Sequence, residues 1–191
     1  MFYHKSKGAN KVESPVPKIL PKVLSLTLTE EILGNYKTDV FVETGTYNGG
    51  GVQIALDVGF PKIYSVEMSD YFYEYCCKKF SKNDNVKLFH GTSEEYLPEI
   101  IKGIHTKITF WLDAHEFGGG KSSLYNELAI IAEHPLKNHN ILIDDRKYFH
   151  TWKVEESVVI DKVKAINKDY QIIVETNSRM DGNSMLIATC K

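Results

Sequence analysis

Val40-Phe41-Val42-Glu43-Thr44-Gly45-Thr46-Tyr47-Asn48-Gly49-Gly50-Gly51 reads as a buried strand, a tight glycine turn and the start of a helix. The apolar run before Glu43 suits a strand covered on both faces. Val52-Gln53-Ile54-Ala55-Leu56 takes up helical spacing directly after the turn. Glycines there let the chain turn sharply and approach a ligand, and the first N–H groups of the following helix are free to meet one. The next strand, Lys62-Ile63-Tyr64-Ser65-Val66, ends on Glu67. An acid about 20 residues past a glycine turn is placed to accept hydrogen bonds from a ribose diol.

Outward from this stretch, strands and helices alternate. Strands are expected at Val40–Glu43, Lys62–Glu67, Val86–His90, Lys107–Leu112, Asn140–Asp144, Tyr170–Glu175 and Ser184–Cys190, with helices near 50–58, 70–81, 93–102, 122–134 and 154–167. Such alternation implies right-handed βαβ crossovers and a sheet covered on both faces. The last two strands leave no room for a helix between them, and Asp181-Gly182-Asn183 is a hairpin signal, so one strand must run antiparallel. The expected fold is therefore α/β, a doubly wound Rossmann-like sheet of seven strands, mostly parallel, with an antiparallel C-terminal hairpin strand. Residues 1–37 read as a Pro- and Lys-bearing arm plus a short helix at Thr29–Leu33 stopped by Gly34, and 38–191 as one domain.

Composition narrows the classes. A chain of 191 residues, 42% hydrophobic and 25% charged, suits one soluble domain with a real core. A formal charge of -2 supplies no basic field for nucleic acid. No apolar run nears the roughly 20 residues of a membrane span, and no signal core follows the N-terminal lysines. Cys76, Cys77 and Cys190 make no disulfide framework and fit a reducing, cytoplasmic setting. A homo-oligomer is left open.

The spacing Glu43-x-Gly45-x-x-x-Gly49-x-Gly51 differs from the dinucleotide fingerprint, which argues against an NAD(P)-linked oxidoreductase. It resembles the first motif of class I S-adenosylmethionine (AdoMet) methyltransferases, E/D-x-G-x-x-x-G-x-G, with all four defining positions filled. The resemblance implies that Glu43, Gly45, Thr46, Gly49 and Gly51 lie beside the methionine end of AdoMet and that Glu67 holds the ribose. It adds Met68, Gly91, Thr92, Ser93 and Asp113 as further cofactor contacts. Ser93 also reads as the cap of the helix after strand three.

Ligands in open parallel sheets bind beyond the carboxyl ends of the strands. Strand four ends in Leu112-Asp113-Ala114-His115, strand five in Ile143-Asp144-Asp145. If Asp113, Asp144 and Asp145 converge, their repulsion calls for a cation or a retained proton, and hard oxygen ligands suit Mg²⁺ or Mn²⁺. The pattern from about Asp39 to Tyr148 resembles the metal-dependent macrocin-type sugar O-methyltransferases. That family holds its metal on the residues matching Asp113, Asp144 and Asp145. It often places a second Asp, the base, where this chain has His115, so His115 stands as base, metal ligand or substrate contact. The expected catalytic set is His115, Asp113 and Asp144, acting on a small-molecule or glycan acceptor. The bland alternatives are that each Asp only caps a turn, and that Phe117, Tyr148, Phe149 and Trp152 cover the core instead of a sugar face. Gly118–Gly120 reads as an entrance loop. Competing functions are a metal-independent methyltransferase and a non-catalytic nucleotide-binding protein of the same fold.

Overall fold

Strands whose every residue is apolar or sterically shielded belong in the middle of a sheet, and three strands here meet that condition. In the computed structural model, which describes residues 27–115, 122–176 and 184–190, β1 (Val40–Thr44), β4 (Ile108–Leu112) and β5 (Asn140–Ile143) are buried at every position. Around them run β2 (Lys62–Glu67), β3 (Val86–His90), β6 (Gln171–Thr176) and β7 (Ser184–Thr189). The seven strands form one sheet in the order β3-β2-β1-β4-β5-β7-β6. The first five are mutually parallel, and β7 pairs antiparallel with both β5 and β6. This is the Rossmann-like α/β architecture expected from the alternation. The arm before residue 27, the Gly118–Gly120 loop with Phe117, and the Asp181-Gly182-Asn183 turn lie outside the described residues.

Period-two alternation along each strand divides the core between the two faces. Val42, Phe110 and Ile141 join the apolar sides of α4 (Ser93–Lys102), α5 (Leu124–Glu133) and α6 (Glu156–Ile166). Phe41, Trp111 and Leu142 face α1 (Glu30–Gly34), α2 (Gly50–Val58) and α3 (Asp70–Lys79). Thr29 caps α1 by accepting from Ile32 N at 3.1 Å, and Gly34 is the last helical residue. No helix among the described residues is long and apolar enough to cross a membrane.

Two boundaries matter for function. Strand order reverses between β1 and β4, which opens a crevice at their carboxyl ends. And β5 stops at Ile143, so Asp144 and Asp145 leave the sheet, Asp145 with φ of +54°. A non-glycine residue in that left-handed region is uncommon, and such residues concentrate at functional sites.

Candidate active site at the strand ends

The glycine turn is built onto both neighbouring strands. Gly45 N and Thr46 N donate to Val66 O at 3.0 and 3.2 Å, anchoring the turn on β2. Gly45 has φ of +88°, and a Cβ there would stand 2.5 Å from the Asp113 carbonyl oxygen, so its lack of a side chain lets the turn lie against the end of β4. Gly51 serves a different purpose: a Cβ would fall 1.9 Å from Trp111 Cζ3 and 2.0 Å from Glu43 Oε1. Glu43 is fully buried beneath the helix start, accepts from the Ser65 hydroxyl, and leaves Oε1 without a hydrogen-bond partner among the described residues. Burial pushes its carboxyl up to about 8, so it is mostly protonated at neutral pH. The structure thus places Glu43 under the turn as its support, and the turn itself at the crevice.

Glu67 closes β2 at 7% exposure and accepts from Tyr47 N through Oε2 at 2.7 Å and from Ser69 N through Oε1 at 2.8 Å. Each oxygen retains lone-pair capacity for a diol. Burial raises the Glu67 pKa, against the backbone N–H groups of Ser69, Tyr47 and Met68. Beside it Met68 is 62% exposed, an apolar side chain left uncovered at the crevice. Gly91 N donates to Glu67 O at 3.0 Å, bringing the end of β3 alongside. The cap of α4 is Thr92, whose Oγ1 accepts from Glu95 N at 3.3 Å; Ser93, expected to cap, is instead buried in the first turn. The reason is a one-residue shift: Thr92 holds the extended conformation a cap needs (φ -83°, ψ 156°), and Ser93 is already helical.

At β4 and β5 the structure brings together Asp113, His115 and Asp145. One ligand atom from each lies within 4.8 Å of the others. His115 Nδ1 is 3.5 Å from Asp113 Oδ1, and Nε2 is 3.2 Å from Asp145 Oδ2. Its ring stacks on Trp152, centroids 4.2 Å apart. Asp144, expected in the same ligand set, turns inward at 6% exposure, and its Oδ1 accepts from Asp145 N at 2.7 Å. Burial and the negative Asp145 push Asp144 up to about 7. Asp113 stands well above the ordinary carboxylate range, from burial and then from Asp144 and Asp145. Burial lowers the His115 pKa, outweighing the attraction of Asp145. A neutral imidazole carries one N–H, yet His115 faces a carboxyl from each nitrogen.

The aromatic residues divide their roles. Phe149 is buried at 6% and covers the core, Trp152 carries His115, and Tyr148 is 43% exposed, 5.9 Å from Trp152. One acid in this region escaped the sequence reading. Glu127, on α5, is 1% exposed and lines a small cavity of about 20 Å³ with His115, Asp144 and Trp152. Leu124, Glu127, Leu128 and Ile131 share the buried face of α5 at helical spacing, so an acid inside an apolar stripe was the available signal.

No protein-family model matches the chain, and no curated protein matches it in sequence. Solved structures do match in shape. An O-methyltransferase from Bacillus cereus in complex with SAH superposes with a TM-score of 0.62 at 13% identity, over 85% of this chain and 78% of that one. TomG, an O-methyltransferase from Streptomyces achromogenes involved in tomaymycin synthesis and solved with SAM, gives 0.61 at 12%, over 85% and 77%. An rRNA methylase from Streptococcus thermophilus gives 0.57 at 10%, over 85% and 94%. The chain has the Rossmann-like fold of these methyltransferases. At such identities the likeness extends to the fold alone, and acceptors as different as these enzymes' share it.

Proposed function

We propose that the chain is an AdoMet-dependent O-methyltransferase acting on a hydroxyl of a small acceptor, a sugar or glycoside, with a divalent cation at the strand ends. The observation that carries this reading is the convergence of Asp113, His115 and Asp145 within 4.8 Å, at the lip where the Gly45 turn rests on Asp113. The turn, Glu67 with its remaining lone pairs, and exposed Met68 fit AdoMet: backbone approach for the methionine end, acceptors for the ribose hydroxyls, an apolar cover for adenine.

Methyl transfer asks the protein to align one oxygen with the methyl carbon and to remove its proton. His115, mostly neutral at pH 7 and held between Asp145 and Trp152, is the group to take that proton. With His115 kept free as the base, the Asp113 and Asp145 carboxylates would hold a cation such as Mg²⁺ or Mn²⁺. Such a cation would supply charge to acidify the acceptor hydroxyl. Trp152 and exposed Tyr148 offer faces for an acceptor ring.

A metal-independent variant is favoured by one specific feature: His115 already reaches both Asp113 and Asp145, so retained protons can balance the cluster. The deciding experiment incubates the protein with methyl-labelled AdoMet and a panel of monosaccharides and glycosides, with EDTA, Mg²⁺ or Mn²⁺. The proposal expects label on a sugar hydroxyl, lost with EDTA and restored by Mg²⁺ or Mn²⁺. Transfer indifferent to EDTA selects the metal-independent variant, and no transfer to any hydroxyl overturns the reading.

A further inference from the structure

Glu127 takes no part in the reaction proposed above, yet it is buried at 1% exposure directly behind the strand ends. Its Oε1 lies 2.9 Å from Ser123 Oγ, and the same Oγ lies 3.0 Å from the Ala114 carbonyl oxygen. Serine has one hydroxyl proton and faces two acceptors. If that proton goes to Glu127, the Ala114 carbonyl meets an oxygen lone pair at 3.0 Å. If it goes to Ala114, the Glu127 carboxyl must supply a proton of its own, and then both the Ser123 hydroxyl and the Ala114 carbonyl are satisfied.

The surroundings favour the second arrangement. Leu112, Ile143 and Leu124 wall the cavity, and no Lys or Arg lines it among the described residues. The charged groups facing Glu127 are acids, Glu94 on α4 and Asp113 at the end of β4, with Asp144 and His115 sharing the cavity. Burial pushes Glu127 up to about 7, even with the Ser93, Ser123 and Thr44 hydroxyls opposing the rise. Ala114 is the residue between Asp113 and His115, so a bond to its carbonyl anchors the backbone that carries both side chains.

We propose that Glu127 is a positioning residue: as a neutral acid it donates to Ser123, Ser123 donates to Ala114, and this relay fixes the Asp113–His115 segment. The proposal rests on the functional reading only in taking Asp113 and His115 as the site.

Its test needs no turnover. Infrared difference spectra of wild type against Glu127→Gln at about pH 6 should show a protonated carboxylic acid band missing from the variant. In NMR, the His115 ring protons of wild type should carry the ring-current shift of the Trp152 stack. Glu127→Gln, whose amide also donates to Ser123, should keep that shift, whereas Ser123→Ala and Glu127→Ala should lose it. Absence of the acid band in the folded wild type overturns the proposal, and so does an unchanged His115 shift in Ser123→Ala. A protein that shows the band and the shifts but transfers no methyl group leaves the relay standing and removes the functional reading.

Discussion

His115 Nε2 lies 3.2 Å from Asp145 Oδ2, joining residues that come from the ends of two different strands, β4 and β5. Asp145 has a left-handed backbone, its N–H donates to Asp144 Oδ1, and its own carboxylate faces His115. Most of the site's chemistry follows from this pair.

His115→Ala should lower methyl transfer by on the order of 10²–10⁴, with AdoMet affinity little changed. Burial lowers the His115 pKa below its ordinary 6.5. The wild-type rate should therefore rise with pH through an ionisation under 6.5 and then level off, a step missing in the variant. His115→Gln should remain slow. Near-normal turnover with an unchanged pH profile would remove His115 from the mechanism.

Asp113→Asn and Asp145→Asn should each abolish Mn²⁺ binding measured by electron paramagnetic resonance, because each deletes a charged ligand. Asp144→Asn should weaken it less, since Asp144 acts on Asp145 from the inside. Equal losses in all three variants would restore Asp144 to the ligand set.

Gly51→Ala should destabilise the fold by about 1–3 kcal/mol, the usual cost of overpacking, because the added methyl would meet both Trp111 and Glu43. Denaturant unfolding measures it. The same substitution at Gly34, which has open space around it, should change stability by less than about 1 kcal/mol. Similar costs at the two positions would contradict the close approach at Gly51.

Stability should also depend on pH in two opposing windows. Glu43 rises from 4.5 to about 8 in the folded chain, so its contribution is full below 4.5 and lost as pH climbs towards 8. His139 falls from 6.5 to about 4, mainly through burial, and contributes fully above 6.5 and progressively less as pH drops to 4. It is fully buried, accepting from Ile108 N at 3.1 Å through Nδ1 and lying 2.9 Å from His134 Nδ1 through Nε2. Glu43→Gln should make the decline between 4.5 and 8 shallower while leaving the His139 window in place. The part due to Glu127 and Asp144, both raised to about 7, should remain. An identical pH–stability curve in the variant would contradict the buried neutral acid.

The fold was legible because its signals are local: alternating apolar runs, the Gly45–Gly51 turn, and two final strands too close for a helix. The strand ends were legible as positions, since Asp113, His115 and Asp145 follow apolar runs directly. Directions were not legible. Whether Asp144 or Asp145 faces the crevice depends on how the backbone turns past Ile143, and whether Thr92 or Ser93 caps α4 on a single residue's register. Glu43 falls inside the motif, yet its depth under the turn follows from packing against Trp111, a partner on another strand. Glu127 escaped because its role depends on Ser123 meeting a carbonyl that only the folded chain brings near.

The central claim, that the glycine turn and Glu67 together form an AdoMet site, is tested most directly by calorimetry with AdoMet, SAH and NAD. Wild type should bind AdoMet and SAH and give no heat with NAD. Glu67→Ala should lose roughly 1–3 kcal/mol of that affinity, the value of charge-assisted bonds to a diol. Tight NAD binding with no heat from AdoMet, or full AdoMet affinity in Glu67→Ala, would contradict it.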